Sequence, residues 1–93
     1  MKNNNYFIYK YTWPDGHVYI GKSRHGRKRY GNRSHYQKSY LVYNYWCKHG
    51  DPIKEIVEDH ISEDNINNKE IYYISKYNSF HAKNPKGLNL TRG

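Results

Sequence analysis

The chain has 93 residues, 12 of them tyrosine, with a formal net charge of +8 and a pI near 9.6. That length suits one domain spanning residues 1–93, and the basic balance favours polyanionic partners, nucleic acid or an acidic membrane surface. No apolar run reaches membrane-spanning length, residues 1–5 lack a signal peptide's apolar stretch, and the lone Cys47 excludes an internal disulfide or a cysteine-based zinc site; a cytoplasmic protein is expected.

Only 35% of the residues are hydrophobic, so aliphatic side chains cannot fill the interior alone. Tyrosines must supply much of the missing apolar area, and each buried one needs a partner for its hydroxyl.

Tyr6 to Thr12 is rich in β-forming residues and predicts a strand. Trp13-Pro14-Asp15-Gly16 is a turn signal, and His17 to Gly21 predicts the second strand of a hairpin. A three-residue loop with Gly16 in the left-handed region sets Tyr11 opposite Tyr19 and Tyr9 opposite Gly21. Tyr9 and Tyr19 then share one face as diagonal neighbours.

Gly16 to Gly50 holds no acidic residue and carries Lys22, Arg24, Arg27, Lys28, Arg29, Arg33, Lys38 and Lys48. One reading is a solvated face. The interleaved Tyr30, Tyr36, Tyr40, Tyr43 and Tyr45 support another, in which cations meet phosphates and rings stack on bases. Arg24 to Lys38 predicts a short basic helix and a loop, with Gly26 and Gly31 working against the helix. Ser39 to Lys48 predicts a second helix with Leu41, Tyr45 and Trp46 inward, stopped by His49-Gly50-Asp51-Pro52. Ile53 to Ile61 predicts a strand, although neither side-chain parity is uniformly apolar. Ser62 or Asp64 can cap a helix over Asn65 to Asn78. Its apolar stripe is Ile66, Tyr73, Ile74 and Tyr77. The tail from Phe80 is loop-like, with a short Gly-Leu-Asn-Leu segment. Strands and helices in this order predict an α+β fold.

Glu70 falls on the inward stripe of that last helix. A carboxylate there is costly unless paired. It can meet an arginine or a tyrosine hydroxyl, or it can hold Mg²⁺ or Mn²⁺, hard cations that prefer oxygen donors. Gly16 to Ser23 matches the phosphate-loop pattern G-x-x-x-x-G-K-[ST], but Val18-Tyr19-Ile20 favours a strand where that motif needs a loop, so no nucleotide cofactor is expected. His17, His25, His35 and His49 lack the spacing of a helical zinc site and more readily face phosphate or solvent.

Phe7-Ile8-Tyr9 followed by Tyr19-Ile20-Gly21 resembles the paired strands of the GIY-YIG nuclease family, with Phe7 where the family has glycine. Lys22-Ser23, Arg29, Lys48-His49-Gly50-Asp51, Glu70 in Glu-Ile-Tyr-Tyr-Ile, and Asn89 in Gly87-Leu88-Asn89-Leu90-Thr91 follow in the family's order, over Tyr6 to Gly93. The resemblance implies a three-stranded antiparallel sheet flanked by about three helices. It implies an endonuclease, of mobile-element or phage type, that hydrolyses double-stranded DNA with a single Mg²⁺ or Mn²⁺. In that reading Tyr9 and Tyr19 line the site, Arg29 contacts the scissile phosphate, Glu70 holds the metal and Asn89 supports the site. Arg33 stands where many members have histidine; either His35 takes that role or no histidine does. Lys22, Ser23, Arg24, Arg27, Lys28, Arg33 and Lys38 would contact DNA. The competing expectation is a basic DNA- or RNA-binding module without catalysis.

Overall fold

Pro14 and Gly16 close the hairpin expected between the first two strands. In the computed structural model, which describes residues 4–93, β1 (Tyr6–Thr12) and β2 (Val18–Arg24) pair antiparallel, with Tyr11 opposite Tyr19 and Tyr9 opposite Gly21. The amide of Trp13 donates to the His17 carbonyl at 2.9 Å, and Gly16 takes φ 93°. A side chain would strain this left-handed position, so glycine sets the register. Residues 1–3, the start of the segment read as lacking a signal peptide's apolar stretch, lie outside the described residues.

The remaining regular elements are α1 (Tyr40–His49), β3 (Ile53–Ile61) and α2 (Ile66–Lys76). β3 pairs antiparallel with β1, giving one sheet of order β2-β1-β3. The fold is α+β, and the described residues form two α-helices and a single 3₁₀ turn at Arg33–Tyr36. The expected basic helix after Arg24 does not form. β2 runs on to Arg24, and Gly26 (φ 94°) and Gly31 (φ 76°) hold the following segment in conformations a helix cannot include. The letters Gly16 to Ser23 accordingly fold as turn and strand, and no phosphate loop exists there.

α1 ends as its sequence predicts: Gly50, at φ 84°, donates its amide to the Trp46 carbonyl at 2.9 Å. Its buried residues are Val42 and Trp46, with Leu41 and Tyr45 half-buried around them. The start of α2 differs from expectation. Its N-cap is Asn65, without a side-chain capping bond, and the Ser62 carbonyl accepts the amides of Asn65 and Ile66.

Central strand β1 is covered on both faces, which explains why Phe7, Ile8, Tyr9 and Tyr11 are all buried, with Trp13 buried just beyond its end. One face is aromatic: Phe7, Tyr9, Tyr11 and Trp13 pack with Tyr36, Val42, Trp46 and Leu88. The opposite face is aliphatic: Ile8 and Ile20 pack with Ile61, Ile66 and Ile74 beneath α2. Irregular register between β1 and β3 around Ile8, with His60 at φ 57°, accounts for the mixed parity of Ile53 to Ile61. β3 is tied to α2 through Glu58, which accepts from the Tyr73 hydroxyl at 2.6 Å and pairs with Lys69 at 3.2 Å.

The tail folds back along the outer edge of β2. The Val18 amide donates to the Lys86 carbonyl at 3.0 Å and the Leu88 amide to the Val18 carbonyl at 2.9 Å. Among the described residues, no helix is long and apolar enough to cross a membrane.

Candidate active site

The buried tyrosines of the aromatic face satisfy one another. The Tyr36 hydroxyl lies 2.7 Å from the hydroxyls of both Tyr9 and Tyr11. Tyr11 also accepts the Gly31 amide at 2.6 Å, which fastens the basic loop to the sheet. Burial holds all three phenols above their ordinary pKa, Tyr11 at about 12, so they are neutral hydrogen-bonding groups at pH 7.

Tyr9 therefore lies beneath the site rather than in its wall. It is fully buried, and its ring crosses the backbone of Gly21 so closely that a Cβ there would sit 2.2 Å from its hydroxyl. Tyr19, diagonal to it, is half-buried and reaches the surface beside β2.

Arg29 comes down onto this aromatic floor from the loop after β2. Its guanidinium carbon lies 4.1 Å from the centre of the Tyr36 ring. Nη1 donates to the His35 carbonyl at 2.7 Å, Nη2 approaches Ser39 Oγ at 3.5 Å, and the positive charge lies close enough to act on the Tyr19 hydroxyl. A guanidinium is protonated at any working pH, and Arg29 is shifted further upward because the phenols around it, once ionised at high pH, outweigh the opposing effect of burial. Tyr19 is shifted upward by burial, with Arg29 pulling the other way. Desolvation wins over the neighbouring charge, and Tyr19 is a neutral phenol at pH 7.

Glu70 approaches from α2 at the β2 edge. Only 14% of its side chain is exposed, and Oε1 lies 3.4 Å from Lys22 Nζ. A cleft of about 260 Å³ is walled by Glu70, Tyr19, Lys38, Ser39 and Asn89 together with Leu88, Leu90 and Thr91. The expected carboxylate, phenol and amide thus meet in one place. Asn89 acts through β2: its Nδ2 donates to the Ile20 carbonyl at 2.7 Å and its Oδ1 accepts the Ile20 amide at 2.9 Å. A side-chain amide here substitutes for a neighbouring strand and fixes the backbone on both sides of Ile20, including Tyr19.

A second, larger cleft of about 690 Å³ adjoins it, lined by Tyr6, Lys22, Ser23, Arg24, Gly26, Arg27, Lys28, Arg29 and His35. Most of the predicted DNA-contacting cations are here. Lys38 stands in the smaller cleft, and Arg33 is exposed in the 3₁₀ turn outside both. Ser23 forms part of the wall, but its hydroxyl is sealed from solvent and has no partner among the described residues. His35 presents an exposed side chain to the larger cleft, while its carbonyl holds Arg29.

The residue that sequence reasoning misplaced is Tyr36. Grouped with the stacking aromatics of the basic block, it is fully buried and forms the floor under Arg29. Its signal was present in the need of each buried tyrosine for a hydroxyl partner, but composition does not say which phenols pair.

The carboxylate set suits one kind of metal site only. Among the described residues, no group of three or more His, Cys, Asp or Glu is placed to hold an ion. A lone shielded carboxylate fits Mg²⁺, which keeps several waters and takes further oxygens from substrate phosphates. The chain matches no family model, no curated protein and no solved structure.

Proposed function

We propose that this chain is a GIY-YIG-type endonuclease domain that hydrolyses phosphodiester bonds in double-stranded DNA. The observation that carries the reading is that Tyr19 and Glu70 share one cleft while Arg29 lines the basic cleft beside it, the two joined by Lys22 against Glu70 and Arg29 against Ser39. The order Tyr9, Tyr19-Ile20-Gly21, Arg29, Glu70, Asn89 along the chain supports the same assignment. A cytoplasmic location, in a bacterial or phage-infected cell, belongs to this reading.

In this mechanism the Arg29 guanidinium binds a non-bridging oxygen of the scissile phosphate and offsets charge that develops there. The Tyr19 phenolate, a minor species at neutral pH, accepts the proton of the attacking water. Tyr9 touches neither water nor phosphate; its ring supports Tyr19 and Arg29 from below. Glu70 would hold Mg²⁺ or Mn²⁺, which supplies charge neutralisation at the leaving 3′ oxygen when bound. Lys22 stands beside Glu70 and offers a second cation to the nucleotide backbone. Lys22, Arg24, Arg27 and Lys28 bind flanking phosphates, and Asn89 holds the strand that carries Tyr19.

The test is plasmid cleavage with Mg²⁺ or Mn²⁺, compared with excess chelator. Cutting that needs the ion and is lost in Glu70→Gln, with DNA affinity retained, is the expected result. The basic cleft also favours a second reading, a nucleic-acid-binding module without catalysis. Tight DNA binding without cutting under any divalent cation would select that reading.

A further inference from the structure

We propose that Tyr36 is the positioning residue for Arg29, an aromatic tray that fixes the plane and direction of the guanidinium. This inference rests on the reading of Arg29 as the phosphate-binding group.

The geometry has three parts. First, the Tyr36 ring faces the guanidinium at 4.1 Å, a distance at which the negative face of the ring attracts the cation. Stacking leaves the in-plane N–H groups available for hydrogen bonds. A guanidinium has five donors. The His35 carbonyl holds Nη1 at 2.7 Å and Ser39 Oγ lies 3.5 Å from Nη2, which leaves further donors of the fork for a phosphate oxygen. Second, the ring itself cannot turn. Its hydroxyl is held by both Tyr9 and Tyr11, Tyr9 is wedged over Gly21, and Tyr11 is anchored by the Gly31 amide. Third, Tyr36 ends the 3₁₀ turn that contains His35, so one short segment supplies both the ring below Arg29 and the carbonyl beside it.

The tray explains why a long, flexible side chain on an irregular loop can serve in a reaction that needs its donors placed to a fraction of an ångström. The ring face does the positioning; the hydroxyl bonds and the packing of Tyr11, Tyr19 and Trp46 around the ring hold it, and the packing survives loss of the hydroxyl.

The experiment compares Tyr36→Phe, which keeps the face, with Tyr36→Met, which fills similar space without one. Single-turnover cleavage is measured in each, alone and in an Arg29→Ala background. Tyr36→Phe should stay within about threefold of the parent rate. Tyr36→Met should lose about tenfold or more, with DNA affinity changed much less. In the Arg29→Ala background, Tyr36→Met should cost nothing further. Equal losses for Phe and Met, or an unchanged cost of Met without Arg29, overturns the proposal.

Proton NMR of the unaltered protein supplies a readout independent of both cleavage and variant folding. The Arg29 Hδ and Hε signals of the parent protein should be shifted upfield by the ring current of Tyr36. Ordinary Arg29 shifts in the parent protein would remove the tray itself. If the parent protein fails to cut DNA but shows the upfield shifts, the nuclease reading fails and the tray stands as a device for holding a phosphate-binding cation.

Discussion

Gly21→Ala tests the central packing claim, that the second strand carries glycine because the Tyr9 ring lies across it. A Cβ built there falls 2.2 Å from both the ring carbon that bears the hydroxyl and the hydroxyl oxygen, and 2.6 Å from Cε1. Comfortable carbon contacts begin near about 3.5 Å, so the ring must withdraw by more than about 1 Å. A phenol tip could yield if it were free, but this one is fully enclosed between Tyr11, Tyr30 and Tyr36. Overpacking of this kind costs about 1–3 kcal/mol, and breaking the Tyr9–Tyr36 bond adds about 1 kcal/mol. The expected loss is therefore about 2–4 kcal/mol, out of a total stability on the order of 5–15 kcal/mol. Urea unfolding followed by the fluorescence of buried Trp13 and Trp46 measures it as a lower midpoint at constant slope. In a Tyr9→Leu background, where the obstructing ring is gone, the same change should cost less than about 1 kcal/mol. A cost below about 0.5 kcal/mol in the parent, or the same cost in both backgrounds, would refute the reasoning.

Three further outcomes follow from the site. Tyr19 is pushed above its ordinary pKa by burial despite Arg29, so its reactive ionised form grows about tenfold per pH unit below that pKa. The single-turnover rate should climb with a log slope near one from pH 7 to 9, and a flat profile removes Tyr19 as the base. Asn89→Ala strands the amide and carbonyl of Ile20 and should cost about 1–3 kcal/mol. Hydrogen exchange reads this directly, because the Ile20 amide should lose protection more than the amides of β1; unchanged protection contradicts the clamp. In the basic cleft, Arg27→Ala and Lys28→Ala should each lower the salt slope of DNA binding by about one. Slopes equal to the parent's would place the duplex elsewhere.

The hairpin was legible from sequence because its register depends on one local requirement, a residue at Gly16 that tolerates positive φ, and alternation then placed Tyr9, Tyr11 and Tyr19 on one face. The inward stripe of α2 was legible for a similar reason, with Ile66 and Ile74 buried and Glu70 shielded among them. Depth was not legible. Period-two alternation assigns a face to Tyr9 but cannot say that the basic loop will close over it, since that depends on contacts with Tyr30 and Tyr36 far along the chain. The basic helix was misread because charge and propensity pointed one way while Gly26 and Gly31 dictated loop conformations. The upward shift of Tyr19 was not legible either, because sequence shows the neighbouring charges and hides the desolvation that opposes them.

The amide of Asn89 completes the hydrogen bonding of a strand margin that has no full strand alongside it. Because that protection is lent by a segment without regular structure, it can be removed by a single cut in the chain. Proteolysis near Lys86 would bare Val18 and Ile20 as a template onto which a second molecule could add a strand. The same cut would take away Leu88, Asn89 and Thr91 from the wall of the smaller cleft. Loss of the site and the onset of self-association should therefore arrive together, so turbidity would report damage to the cleft.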